Sequence, residues 1–297
     1  MALRVFEFFG FDAGDHSAAA TEARRKHECP FLKQECLKKY ADGLHNGACS
    51  LKPSTSSPVV CCPIRMYAEN YKILSDVAES AFGSGIRLVR RLTDATGDGR
   101  DVVVFGKGWG KELRLPTRGQ GGRYFVDWIL ALLDADRNLK EFVAVEVQTM
   151  DTTGTYRPEI ESLFKGVIPE RPSKAGINWE NVSKRILPQI IYKGHVLRRE
   201  PLCTKGLFFV CPKPVYERIV TRLGGKLQTY HPQPGALTFR WYDLAGTPSP
   251  GASRTLEFKG QQTTTIDQVA LAFTSPGNLP EPRVYEAAIR AELGTNG

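Results

Sequence analysis

Residues 125–149, FVDWILALLDADRNLKEFVAVEVQT, constrain the fold more than any other stretch of the chain. Two apolar runs flank Asp134 to Asn138, a cluster of turn formers, so the segment predicts an antiparallel hairpin folding near residue 137. Strand alternation places Val143, Val145 and Val147 on one face and Phe142, Ala144, Glu146 and Gln148 on the other. Folding near residue 137 sets Asp127 roughly opposite Val147, and so within one pair of Glu146. Carboxylates inside apolar strand runs are costly to bury and call for a cation partner. Two at this separation suit a hard cation such as magnesium, bound through oxygen ligands. The alternative is a hairpin whose acidic residues lie on a solvated face.

A second constraint is the distribution of cysteine. Five of the seven cysteines, Cys29, Cys36, Cys49, Cys61 and Cys62, fall between residues 29 and 62, where even scattering places about one. Disulfides are rare in a chain read as cytosolic, and a tetrathiolate zinc or iron site fits better. Adjacent cysteines rarely both ligate one metal, so Cys61 and Cys62 leave four ligands and one spare. The alternative is a set of reduced thiols serving as small hydrophobes. The surrounding stretch is rich in loop formers and has too little apolar surface to fold without a metal. Cys203 and Cys211 lie beside an apolar run and read as core residues.

The chain has 297 residues, 41% hydrophobic and 24% charged, which suits a globular protein of one core with an appended module. No apolar stretch approaches the roughly 18 residues of a membrane span, and Glu7 and Asp12 break the apolar start, unlike a secretory leader. The expected location is therefore cytoplasmic, with no membrane partner. A net charge of +8 raises the expectation of a polyanion partner. Basic clusters occur at Arg87, Arg90 and Arg91, at Lys107, Lys111 and Arg114, and at Lys193, Arg198 and Arg199; any one of these is more often a solvated face than a phosphate track.

Helical patterns cover 17–26, 65–82 (stopped by Gly83), 157–165 and 178–192, the last with Pro188 placed to kink it. Strand patterns cover 102–105 and 112–115 before the hairpin. Beyond it, strand and helix signals alternate at 207–210, 215–223, 237–242, 255–258 and 283–293. Gly106, Gly108 and Gly110 lack the GK[ST] continuation of a phosphate loop.

The cysteine module and the D…ExQ hairpin together resemble the NotI family of Type II restriction endonucleases. Cys29-Pro30-Phe31, Cys36, Cys49-Ser50 and the Cys-Pro pair before Arg65 are similar to that family's iron-binding motif. Asp127 with Glu146-Val147-Gln148-Thr149 is similar to its catalytic strands, and Trp179 to Val182 with Pro188-Gln189 to a helical segment of the family. The likeness spans roughly residues 25–195.

The resemblance implies an α/β (α+β) fold: a mixed central sheet flanked by helices, a restriction-endonuclease-like PD-(D/E)xK core, and a small N-terminal metal-binding module. Residues 1–65 are then the module, and residues 66–297 the nuclease core with C-terminal DNA-recognition elements. It implies a prokaryotic homodimer making double-strand cuts in a palindromic, GC-rich site of double-stranded DNA, with a cognate DNA methyltransferase as functional partner. Structural iron, with zinc as the alternative, is held by Cys29, Cys36, Cys49 and Cys62, the last preferred over Cys61 because it precedes Pro63. Magnesium is held by Asp127, Glu146 and the Val147 carbonyl, and Glu112 is the upstream acidic residue. Gln148 stands where the signature has lysine, so it orients water rather than relaying a proton. Lys26, His27, Lys33, Lys38 and Lys39 surround the cysteines and are candidates for the DNA backbone. Two other readings are a metal-stabilised DNA-binding protein without catalysis and a different PD-(D/E)xK nuclease.

Overall fold

The computed structural model describes residues 2–109, 111–113, 125–225, 227–275, 279 and 281–294. Its N-terminal part runs β1 (Leu3–Phe8), β2 (Phe11–Asp12), α1 (Ala18–Lys26), β3 (Glu28–Cys29), β4 (Gln34–Glu35), β5 (Ala48–Pro53) and β6 (Val59–Val60). Helices α2 (Pro63–Met66) and α3 (Ala68–Phe82) lead to β7 (Arg87–Val89), β8 (Asp101–Gly106), β9 (Trp128–Leu133) and β10 (Leu139–Val147). Then come β11 (Thr152–Thr153), α4 (Arg157–Phe164), β12 (Gly176–Ile177), α5 (Leu187–Leu197), β13 (Leu207–Pro212) and α6 (Lys213–Arg222). The chain continues with β14 (Ala236–Leu244), β15 (Leu256–Thr265), α7 (Ile266–Thr274) and α8 (Val284–Glu292).

The fold is mixed α/β around a seven-stranded sheet of order β15-β14-β13-β10-β9-β8-β7. Strands β10, β13 and β14 are parallel, as are β7 and β8, while β8/β9, β9/β10 and β14/β15 are antiparallel. The alternation in β10 sets the layers. Its three valines pack with Ile73, Leu74 and Val77 of α3 on one face of the sheet. Ala144 turns to the other face, among Ile186, Ile190 and Leu197 near α5, Val215 and Ile219 of α6, and Val269 of α7. Burial of this kind contributes on the order of 25 cal/mol per Å² of apolar surface. Among the described residues, no helix is long and apolar enough to cross a membrane.

The N-terminal strands form a second sheet, β2-β1-β5-β6, which shares a core with α4. Leu3, Val5, Phe8 and Leu51 pack there with Ile160 and Leu163. The cysteine stretch therefore draws apolar cover from well outside its own sequence. Glu7, read in the sequence as a break in an apolar patch, is instead fully buried, where its Oε1 accepts from Arg65 Nη2 at 3.0 Å and its Oε2 from Ser50 at 2.8 Å.

Two helix expectations need correction. The pattern at 65–82 divides because Glu69, Asn70 and Tyr71 adopt left-handed backbone angles, with φ of 55°, 54° and 62°. The pattern at 178–192 begins near Glu180, widens into a π-helical stretch at Val182–Ile186 and resumes as α5, running on to Leu197. Pro188 has no amide hydrogen, and the widened turn before it accommodates the proline in place of a simple kink. Of the strand pattern at 112–115, Glu112 and Leu113 are irregular and the rest lies outside the described residues. Gly106 serves Trp128 packing, since a Cβ there would meet that ring at 2.2 Å.

Candidate active site

The hairpin forms as its pattern predicts, with a register of its own. Its turn is closed by the Asp134 N–H donating to the Asn138 carbonyl at 2.9 Å. A bulge between Leu139 and Glu141 then shifts the pairing, and Val145 faces Trp128. By that register Asp127 comes level with Glu146 instead of Val147. It is tied to the partner strand by the Val147 N–H, which donates to Asp127 Oδ2 at 2.8 Å.

The two carboxyls disturb one another. Burial pushes Glu146 up to about 7, the Asp127 charge adds to the shift, and Lys193 opposes it. Asp127 opens to a cleft, but the protein enclosing its other sides raises its pKa. The Val147 amide and Lys193 resist that rise, while Glu112 reinforces it. Lys193 Nζ of α5 donates to Glu146 Oε1 in an ion pair buried on both sides. Glu146 Oε2 is also buried and has no hydrogen-bond partner.

By sequence Lys193 groups with Arg198 and Arg199 as a basic cluster, whereas in the structure it is buried against Glu146. One available signal was helical spacing, which puts residues 186, 190, 193 and 197 on a single stripe. Ile186, Ile190 and Leu197 are all buried, as is Lys193. The adjoining Gly194 gives α5 room to approach Ile266, whose side chain would lie 2.2 Å from an added Cβ.

A cleft of about 1180 Å³ opens over these groups. Glu112, Asp127, Glu146, Val147 and Gln148 all line it, so the five expected residues lie along one surface. The Gln148 side chain donates to the Thr149 carbonyl at 2.8 Å, and its backbone N–H to Val210 at 3.0 Å. Lys33, Arg90, Lys107 and Arg185 bring positive charge to the rim, and Phe31 and Leu32 of the cysteine module form part of a wall.

No family model and no curated protein matches this chain.

Glu69, Asn70 and Tyr71 also line the cleft. Left-handed angles cost L-residues about 1–2 kcal/mol each, and such strain concentrates at functional sites. Aromatic packing secures the turn. Tyr71 stacks on Tyr67 at 5.3 Å and meets Trp109 and Trp128 edge-on at 4.8 and 5.5 Å. Trp128 in turn donates to the Tyr67 hydroxyl at 3.1 Å.

All five N-terminal cysteines line a separate cavity of about 330 Å³. Burial pushes Cys62 up to about 11 and Cys49 well above its ordinary value, and Cys62 and Cys29 both raise Cys49 further. Two Cys-Pro segments behave alike. The Phe31 and Leu32 amides lower the Cys29 thiol pKa against burial, and the Ile64 and Arg65 amides do the same for Cys62. Cys61 differs, with its Sγ within 3.6 Å of Lys38 Nζ and 3.7 Å of the Ala48 carbonyl. Lys38 is thus turned inward, not toward a DNA backbone, and His27 stacks on His45 with ring centroids 4.2 Å apart. Among the described residues, no three His, Cys, Asp or Glu side chains are grouped to hold a metal ion as they stand.

Proposed function

We propose that the chain is a magnesium-dependent endonuclease of double-stranded DNA, acting as a Type II restriction enzyme on a palindromic, GC-rich site. The observation that carries this reading is the Asp127–Glu146 pair: two adjacent carboxyls of raised pKa, with one buried oxygen lacking a partner, at the floor of a cleft rimmed by cations. Such a pair is electrostatically unfavourable alone, and a hard cation relieves it. A duplex in the cleft meets Lys33, Arg90, Lys107 and Arg185 with its phosphates.

Asp127, Glu146 and the Val147 carbonyl are the residues that would hold magnesium. A cation bound there would supply charge neutralisation at a scissile phosphate and lower the pKa of bound water. Lys193 fixes Glu146 through Oε1, while Oε2 is buried without a hydrogen-bond partner, so the carboxyl would keep an oxygen free for a cation. Gln148 has no titratable group, so its amide orients the attacking water by hydrogen bonding. Glu112 adds a third negative charge at the rim. We assign this core to a cytoplasmic homodimer of the prokaryotic restriction type, paired functionally with a methyltransferase that protects the same site. The test is incubation with supercoiled plasmids of diverse sequence. Linear product is expected with magnesium and none with EDTA; intact plasmids throughout would leave a DNA-binding protein without catalysis as the better reading.

The cysteine cluster fits a structural tetrathiolate by its donor set: Cys29, Cys36, Cys49 and Cys62, with iron as the metal and zinc as the alternative. Amides directed at Cys29 and Cys62 are the outer contacts that steady thiolate ligands, and Cys62 is kept as the fourth ligand because it precedes Pro63 as Cys29 precedes Pro30. Closure of the four thiols on a metal leaves no position for substrate, so the role is to stiffen the wall formed by Phe31 and Leu32. Elemental analysis is expected to find about one iron or zinc per chain. Cys29→Ser is expected to lose that metal and unfold at a lower temperature, whereas Cys61→Ser keeps it. Equal metal content in both variants would contradict the assignment.

A further inference from the structure

The left-handed turn at Glu69 to Tyr71 presents two polar side chains to the cleft at a backbone cost that ordinary helix continuation would avoid. Glu69 and Asn70 are both exposed there. Neither side chain makes a hydrogen bond or ion pair among the described residues, although Lys72, three positions from Glu69, pairs with Asp76 at 2.8 Å. Glu69 and Asn70 line the same cleft as Asp127 and Glu146. Tyr71, packed between Tyr67, Trp109 and Trp128, anchors the turn. A pair without partners, anchored by packed aromatics beside a cleft rimmed by cations, is what base recognition needs.

We infer that Glu69 and Asn70 are base-reading residues, entering the major groove of the duplex and setting sequence preference at one or two base pairs. This rests on the endonuclease reading above. The chemistry of the pair selects bases over backbone. A glutamate is repelled by phosphate, but accepts from the N4 amino group of cytosine; an asparagine pairs in bidentate fashion with adenine N6 and N7. Arg90 differs from both: its guanidinium lies 5.4 Å from the Trp109 ring centroid, and its charge is suited to phosphate, which carries no sequence information.

Glycine adopts left-handed angles without strain, so Glu69→Gly and Asn70→Gly remove each side chain while preserving the turn. Both variants are expected to unfold no lower than the wild type. The experiment is selection from a randomised duplex pool by the full-length chain in calcium, with bound sequences read out for the wild type, the two glycine variants and Arg90→Ala. The wild type is expected to enrich one motif. Each glycine variant is expected to lose discrimination by about 5- to 150-fold at one or two positions of it, the range for a single base contact. Arg90→Ala is expected to weaken all sequences alike. Unchanged motifs in both glycine variants, or an equal loss over all sequences, would overturn the inference with the endonuclease reading intact. A wild type that enriches no motif would overturn sequence-specific binding itself, and this assignment with it.

Discussion

Asp127→Asn is expected to cut DNA at least about 1,000-fold more slowly than the wild type, the loss expected when several kcal/mol of cation-supplied stabilisation disappear. The same variant is expected to unfold at a higher temperature in divalent-free buffer at pH 8. The reason is the raised pKa of the pair. Glu146 is pushed up to about 7 by burial and by Asp127, and Asp127 is raised by burial against the Val147 amide. A carboxyl whose folded pKa lies above its unfolded value binds its proton more tightly in the native state. Its contribution is therefore most favourable below the unfolded pKa and declines as pH rises toward 7. Asparagine still accepts the Val147 N–H but carries no charge, so it removes the Asp127 part of that decline. Melting curves from pH 5 to 8 are expected to fall less steeply for the variant, and magnesium is expected to flatten the wild-type curve. A variant less stable than the wild type at pH 8, or one that still cuts at the wild-type rate, would contradict the site assignment.

The largest stability effect is expected at the other buried pair. Glu7 and Arg65 are both 0% exposed and meet at 3.0 Å, with Ser50 donating to Glu7 and Arg65 Nη2 donating to the Arg254 carbonyl at 2.7 Å. Arg65 also lies 4.6 Å from the Phe31 ring centroid, so the pair links β1, α2 and the wall of the cleft. Removing one charge strands the other without water. Glu7→Ala or Arg65→Ala is expected to cost about 3–5 kcal/mol in denaturant unfolding. Replacing both by methionine is expected to cost less than either single change, because no buried charge is then left unpaired. A single substitution costing under about 1 kcal/mol, the range of a surface pair, would show that the network does not hold the N-terminal sheet to the core.

The legible parts of this protein were those where one local period sufficed. Alternation in β10 placed Glu146 and Gln148 on one side of the strand, and turn formers located the hairpin to within one residue of register. That last residue was decided by a bulge near Leu139, which no periodicity announces. Lys193 was hidden because a lysine near Arg198 and Arg199 reads as solvated unless the apolar stripe is followed past Tyr192. The break at 69–71 was hidden for a different reason. Glu69 and Tyr71 are compatible with an ordinary helix, and only packing against Trp109 and Trp128 singles out the left-handed turn. Glu7 shows the limit from the other side: its cost is offset by Arg65, 58 positions away.

The central claim, that the Asp127–Glu146 pair is the working site of a sequence-specific nuclease, is tested most directly by digesting a sequenced bacterial genome with wild type and Asp127→Asn and sequencing the fragment ends. The wild type with magnesium is expected to leave ends that share one palindromic sequence, and the variant is expected to leave the DNA whole. Intact DNA from the wild type, ends with no common sequence, or the same fragments from both proteins would contradict it.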